Sequence, residues 1–133
     1  MRMRGPSDAD VILDVVCERG LLSLVLANIG DRPAHAVRVK LDGPMRGLGG
    51  AKRIDRLALF RKLEFLAPRR SIEVFVDRSD SYYGREEPTR LTATVAWRTD
   101  DGERRTRTIR HDLEIYRDLV TIDREVPHRA GQA

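Results

Sequence analysis

The chain has 133 residues, 35% of them charged and 41% hydrophobic, a balance that excludes a disordered polypeptide and leaves enough apolar material for one self-sufficient core. Its net charge is +4 with a pI near 9.7, and the basicity is almost wholly arginine, because lysine occurs only at Lys40, Lys52 and Lys62. Arginine suits bidentate contact with phosphate or carboxylate, although a compositional bias would enrich it as well.

The opening, MRMRGPSDAD, is positively charged but lacks the apolar run of a signal peptide, and residues 1–8 read as a loose lead. The first strand is expected over Asp10 to Cys17, with Val11, Leu13, Val15 and Cys17 on one face, so the lone cysteine reads as a buried, inert thiol. Glu18, Arg19 and Gly20 turn the chain into a second strand, Leu21 to Asn28, in which Leu22, Leu24 and Leu26 recur every second residue. A connection this short implies antiparallel neighbours. Asn28, Gly30, Asp31 and Pro33 form the next turn, and the third strand, Ala36 to Leu41, points Val37, Val39 and Leu41 inward and Arg38 and Lys40 outward.

Asp42 to Gly50 holds four glycines and a proline, which resist both helix and strand and predict a loop. Ala51 to Phe60 reads as a short helix or helical turn. From Lys62 the two-residue period returns, with Leu63 and Phe65 set against Lys62 and Glu64, and Pro68 to Arg70 reverse the chain. In the strand Ser71 to Asp77, Ile72, Val74 and Val76 point inward, Glu73 and Asp77 outward, and Phe75 breaks the pattern. The polar stretch Asp77 to Thr89 reads as an apical loop or a frayed edge segment. Arg90 to Arg98 and Glu103 to Asp112 then form a hairpin around Asp101-Gly102, with Leu91, Ala93, Val95 and Trp97 on one face of its first strand. Its second strand is mostly arginine and threonine, as an exposed edge would be. Leu113 to Val126 is either a strand extension with a helical turn or one amphipathic helix, and residues 123–133 form a tail.

About seven short strands with tight turns and little helix predict an all-β chain, an antiparallel immunoglobulin-like β-sandwich with Greek-key connections over residues 9–122. Asn28-x-Gly30, then Ala36-x-x-Val39, Phe65 to Pro68, Tyr82-Tyr83, Trp97 to Gly102 and Asp112 to Arg117 follow in an order that resembles a group of largely uncharacterised bacterial immunoglobulin-like domains. Similar patterns run through the wider class of adhesion-type or CARDB-like modules. The resemblance spans about Leu22 to Leu119 and implies a fold but no activity.

The residues themselves suggest no catalysis, cofactor or metal. His35, His111 and His128 lack cysteine or carboxylate neighbours at metal-site spacing, the glycines at Gly47, Gly49 and Gly50 match no phosphate-loop pattern, and the serines lack a nucleophile elbow. Asp77, Asp80, Glu86 and Glu87 read as a solvated acidic loop rather than a calcium site. Two features stand above this background. Arg98, Arg104, Arg105, Arg107 and Arg110 on the edge hairpin form a positive stripe suited to phosphate, although Arg104 and Arg110 point one way and Arg105 and Arg107 the other. Tyr82 and Tyr83 are either contact anchors at the end of the sandwich or a cap folded over Phe75. The expected function is therefore a non-catalytic protein-interaction or accessory module acting through a strand edge or apical loops, by binding another protein or by self-association. The alternative is a basic nucleic-acid-binding domain. With one cysteine, no signal peptide and no apolar run of roughly 18–20 residues, the expected location is the cytoplasm.

Overall fold

The structure is a computed structural model that describes residues 8–117. The expected tail and most of the segment 113–126 lie outside the described residues. Among the described residues nine strands follow one another: β1 (Val11–Glu18), β2 (Leu21–Asn28), β3 (Ala34–Leu41), β4 (Arg46–Gly47), β5 (Lys52–Arg53), β6 (Leu63–Leu66), β7 (Ser71–Arg78), β8 (Arg90–Arg98) and β9 (Arg104–Asp112). Two short helices, α1 (Ala58–Arg61) and α2 (Ser79–Tyr83), interrupt them. β1, β2 and β7 make one antiparallel sheet in the order β1-β2-β7, and the other has the order β6-β3-β8-β9. The chain changes sheet between β2 and β3, β6 and β7, and β7 and β8, so the fold is an all-β sandwich with Greek-key crossings. β4 and β5 form a separate two-stranded ribbon.

The inward rows are those expected from the alternation. Val11, Leu13, Val15, Leu22, Leu24, Leu26, Val37, Val39, Val76, Val95 and Trp97 are buried, while Ile72 and Val74 are half-buried because β7 is an edge strand. Cys17 is half-exposed rather than buried, with its Sγ 3.3 Å from Ser79 Oγ at the end of the sheet. Arg19 (φ 53) and Gly20 (φ 77) both take the left-handed conformation that a two-residue hairpin of the right twist demands.

Asn28 is the joint between the sheets. Its Oδ1 accepts the N–H groups of Asp10 (3.1 Å) and Gly30 (3.0 Å), and its Nδ2 donates to the carbonyls of Arg32 (2.9 Å) and Leu66 (3.1 Å). All four bonding positions of this 1% exposed amide are filled, as a buried polar group requires. Gly30 beside it has no room for a side chain, since a Cβ would lie 1.9 Å from the Asp8 carbonyl oxygen.

The segment 42–62 departs most from expectation. The glycine-rich part contributes β4 and a 3-10 turn (Leu48–Gly50), and the helix is a single turn at Ala58–Arg61, preceded by a 3-10 turn at Ile54–Arg56. Met45, Ile54 and Phe60 from this segment are 0–2% exposed and plug one end of the sandwich. Gly47 lies flat on β7, where a Cβ would sit 2.1 Å from the Val76 carbonyl oxygen. The pairing of β2 with β7 slips at this place, from Leu22↔Asp77 to Ser23↔Phe75, so Val76 is a bulge that the insertion covers.

The bulge also corrects the expected direction of Asp77. Its carboxylate is buried, accepting from the Gly49 N–H (3.1 Å) and Arg85 Nη1 (2.9 Å). Arg85 bonds Glu87 as well (3.2 Å), and Arg46 pairs with that same carboxylate at 3.4 Å. The stretch 77–89 is thus no solvated acidic loop. It is a helical turn followed by a chain folded around Arg85, which ties the insertion to the sheet.

Candidate functional site

Strand alternation and register decide which arginines can act together. Arg98 lies opposite Arg104, Ala96 opposite Thr106, Thr94 opposite Thr108 and Thr92 opposite Arg110, while β3 places Arg38 beside Ala96 and Lys40 beside Thr94. Opposed residues share a face, so Arg38, Lys40, Arg90, Arg98, Arg104 and Arg110 all stand on the outer face of the four-stranded sheet, interleaved with threonines. None of these six cations forms an ion pair or hydrogen bond among the described residues.

Arg105 and Arg107 behave differently. They occupy the inward parity of β9 opposite Trp97 and Val95 and reach past the core towards β1, the edge strand of the other sheet. Arg107 Nη2 meets Asp10 Oδ1 at 2.6 Å, and Arg105 Nη2 meets Glu103 at 2.7 Å and Asp8 at 3.4 Å. His111 Nε2 lies 2.8 Å from the Leu13 carbonyl oxygen further along the same seam. The hairpin arginines therefore split by parity into an unpaired outer set and an inner set neutralised along the flank of β9, where edge pairing was expected.

The tyrosine pair is a correction to the contact-anchor reading. Tyr82 is 1% exposed, with its hydroxyl donating to the Pro88 carbonyl at 2.6 Å. Tyr83 donates to the Leu113 carbonyl, and the Arg117 guanidinium lies 4.7 Å from its ring centroid. Burial pushes both hydroxyls well above the ordinary tyrosine range, Tyr82 further by the nearby Glu87 charge. They cap the sandwich, but over Pro88 and Leu113, while Phe75 stays 43% exposed on the outer side of the three-stranded sheet.

Phe65 was also expected inward. It is 53% exposed on the outer face, opposite His35 on β3, with ring centroids 5.5 Å apart. The cause is a kink next to it: Ala36 holds φ 49, and β3 slips against β8 there, from His35↔Arg98 to Arg38↔Ala96. Ala36, Arg38, Arg61, Lys62, Ala96, Trp97, Arg98, Arg104, Arg105 and Thr106 line a cleft of about 430 Å³ at this kink. It contains no carboxylate. The hairpin pattern alone supplies neither the cleft's Arg38 and Arg61 nor Lys40 on the outer face beside it. Outward parity was readable for Arg38 and Lys40, but the pairing of β3 with β8 was not.

Among the described residues no group of three or more histidine, cysteine, aspartate or glutamate side chains lies close enough to hold a metal ion, and no helix is long and apolar enough to cross a membrane.

Comparison with known proteins places this sandwich in a family. A family model described as a domain of unknown function (DUF8453) matches residues 7–117, which spans both sheets from β1 to the last described turn. The chain belongs to this family. No curated protein and no solved structure matches it. The DUF8453 description assigns no activity, so for this member the surface chemistry carries the functional argument.

Proposed function

We propose that this DUF8453 domain is a non-catalytic binding module whose working surface is the outer face of the four-stranded sheet, and that it engages the phosphate backbone of nucleic acid. One observation carries the reading: six outward cations on three neighbouring strands have no partner among the described residues, while the inward arginines of the same hairpin are neutralised by Asp8, Asp10 and Glu103. Unpaired cations held on a rigid sheet release counterions when they meet phosphates, which is the main source of sequence-independent affinity. Among the described residues Phe65 is the one exposed phenylalanine, tyrosine or tryptophan beside this face, and a single ring gives no track for stacking successive bases, so the proposed contact is to the backbone.

The sandwich topology supports kinship with the bacterial immunoglobulin-like modules grouped as CARDB-like, and a bacterial cytoplasm supplies both nucleic acid and the reducing conditions that a lone thiol suits. A second reading, protein binding, is favoured by a different surface. The outer side of the three-stranded sheet exposes Leu21 (47%) and Phe75 (43%) among half-buried Val16 and Val25.

Fluorescence anisotropy of a labelled duplex, titrated with the protein at a series of salt concentrations, tests the proposal. With about five phosphate contacts, log affinity should fall against log salt with a slope of about −4 to −5. A slope near zero, or no binding at low salt together with a protein partner retained from lysate at high salt, would favour the second reading.

A further inference from the structure

The cleft at the Ala36 kink is more than a local deepening of the basic face. Four guanidinium-bearing side chains converge on it from four separate elements: Arg38 from β3, Arg61 from α1, Arg98 from β8 and Arg104 from β9. None of the four has a hydrogen-bond or ion-pair partner among the described residues, whereas the other two cations of the lining are partly neutralised, Lys62 by Glu64 at 3.5 Å and Arg105 by Glu103 at 2.7 Å. Small side chains make the hollow: Ala36, Ala96 and Thr106 leave the centre of the sheet surface low between the arginines. Trp97 lines it from the strand beneath, while its buried indole packs in the core on the inner side of the sheet.

We propose that this cleft binds a compact, multiply charged phosphoryl group, of the kind presented by pyrophosphate or by the terminal phosphate of a nucleic-acid strand. The inference rests on the reading of the sheet face as a phosphate-binding surface and adds an anchoring site to it. The ligand class follows from charge and shape. Planar guanidinium groups match the oxygen pairs of phosphate in bidentate geometry, and like charges gathered in one hollow are relieved most by an anion that carries more than one charge at a single place. A chloride ion or a phosphodiester brings one charge only.

Trp97 is the only tryptophan in the chain and belongs to the strand beneath the cleft, so its emission reports on the sheet that carries the arginines. The experiment titrates sodium pyrophosphate into the full chain at constant ionic strength, with sodium chloride as the control, and follows Trp97 fluorescence and the thermal midpoint. A saturable emission change and a raised midpoint with pyrophosphate but not with chloride are expected. Arg98→Gln with Arg104→Gln should weaken binding at least tenfold, and Arg61→Gln, on the opposite wall and outside the sheet, should weaken it severalfold. Arg19→Gln, in the β1–β2 turn of the other sheet, should leave it unchanged. All four side chains are exposed, and an unaltered far-ultraviolet spectrum establishes that each variant is folded.

A 5′-phosphorylated oligonucleotide compared with its 5′-hydroxyl counterpart separates the two sources. A preference for the phosphorylated strand assigns the site to nucleic-acid ends, and equal binding of the two strands with saturable pyrophosphate binding assigns it to the free anion; either result upholds the site. Emission that follows ionic strength alone, or a response in the Arg98/Arg104 variant equal to that of the parent, would overturn it. Failure here is distinct from failure of the wider reading: duplex binding with a salt slope but no pyrophosphate response removes only the anchoring site. Saturable pyrophosphate binding without duplex binding removes only the extended interface.

Discussion

Replacing Arg85 by methionine removes the cation around which the insertion and the turn after β7 are built. Arg85 Nη1 donates to Asp77 (2.9 Å), to the Ser81 carbonyl (3.1 Å) and to Ser81 Oγ (2.8 Å), its Nε donates to Glu87 (3.2 Å), and its Nη2 donates to the Arg46 carbonyl (3.1 Å). The carboxylate side chains it serves are 6% and 3% exposed, so methionine would leave two buried negative charges with Arg46 as the remaining nearby cation. Removing one partner of a buried pair costs about 3–5 kcal/mol, and the partial exposure of Arg85 places this case near 3 kcal/mol. Urea unfolding at pH 7 should show that loss as a lower midpoint at unchanged slope.

The pH dependence follows from Asp77. Burial pushes its carboxyl up, but the Gly49 N–H, the Arg85 guanidinium and the Arg78 N–H together hold it below the usual carboxylate range. Its stabilising contribution is therefore present above a pH of about 4 and is lost as pH falls through the depressed folded value. In the methionine variant the stranded carboxylate gains by protonation instead, so the difference between parent and variant should narrow from pH 7 to pH 3. A loss below about 1 kcal/mol, or a difference that stays constant over that range, would refute the view that Arg85 neutralises buried charge.

Asn28→Ala strands two N–H groups and two carbonyls at the joint between the sheets and should cost about 3 kcal/mol or more, seen by calorimetry as a midpoint lowered by roughly 10 °C. Gly47→Ala forces the insertion away from Val76, and hydrogen exchange should accelerate around β4, β5 and the C-terminal half of β7 while β2, β3 and β8 stay protected. Asp55 has its carboxyl held at about 2, first by its bidentate bonds from Arg53 and then, against the opposing effect of burial, by the Met45 N–H. Asp55→Asn should cost about 1–2 kcal/mol at pH 7, and this difference should vanish in acid unfolding as pH falls from about 4 to 2. Ala36→Gly relieves a left-handed alanine and should raise stability by about 0.5–1 kcal/mol in chemical denaturation.

The sandwich was legible because its central strands alternate strictly. Leu22, Leu24 and Leu26, or Val37, Val39 and Leu41, can bury one face only by pairing as they do. The end plug was not legible, since Met45, Ile54 and Phe60 are fixed by tertiary packing of a segment whose glycines signal only irregularity. Asp77 and Phe65 went astray for a shared reason: each lies at a slip in register, at Val76 and at Ala36, and such slips alter which way neighbouring side chains face. The candidate site was half visible. Parity separated Arg104 and Arg110 from Arg105 and Arg107, but that Asp8 and Asp10, leading into β1, oppose the inner pair, and β3 supplies the cations joining the outer set, depends on strand order that no local pattern encodes.

The most direct test of the sheet face compares two charge-neutralised proteins in one duplex-binding assay over a series of salt concentrations. Arg38→Gln with Arg98→Gln and Arg110→Gln removes three outer cations, and Arg105→Gln with Arg107→Gln removes the two inner ones. The account predicts that the outer substitutions reduce affinity by about a hundredfold or more and lower the salt slope by about three, while the inner pair changes affinity by less than about threefold. Equal losses in the two proteins, or a larger loss from the inner pair, would contradict it.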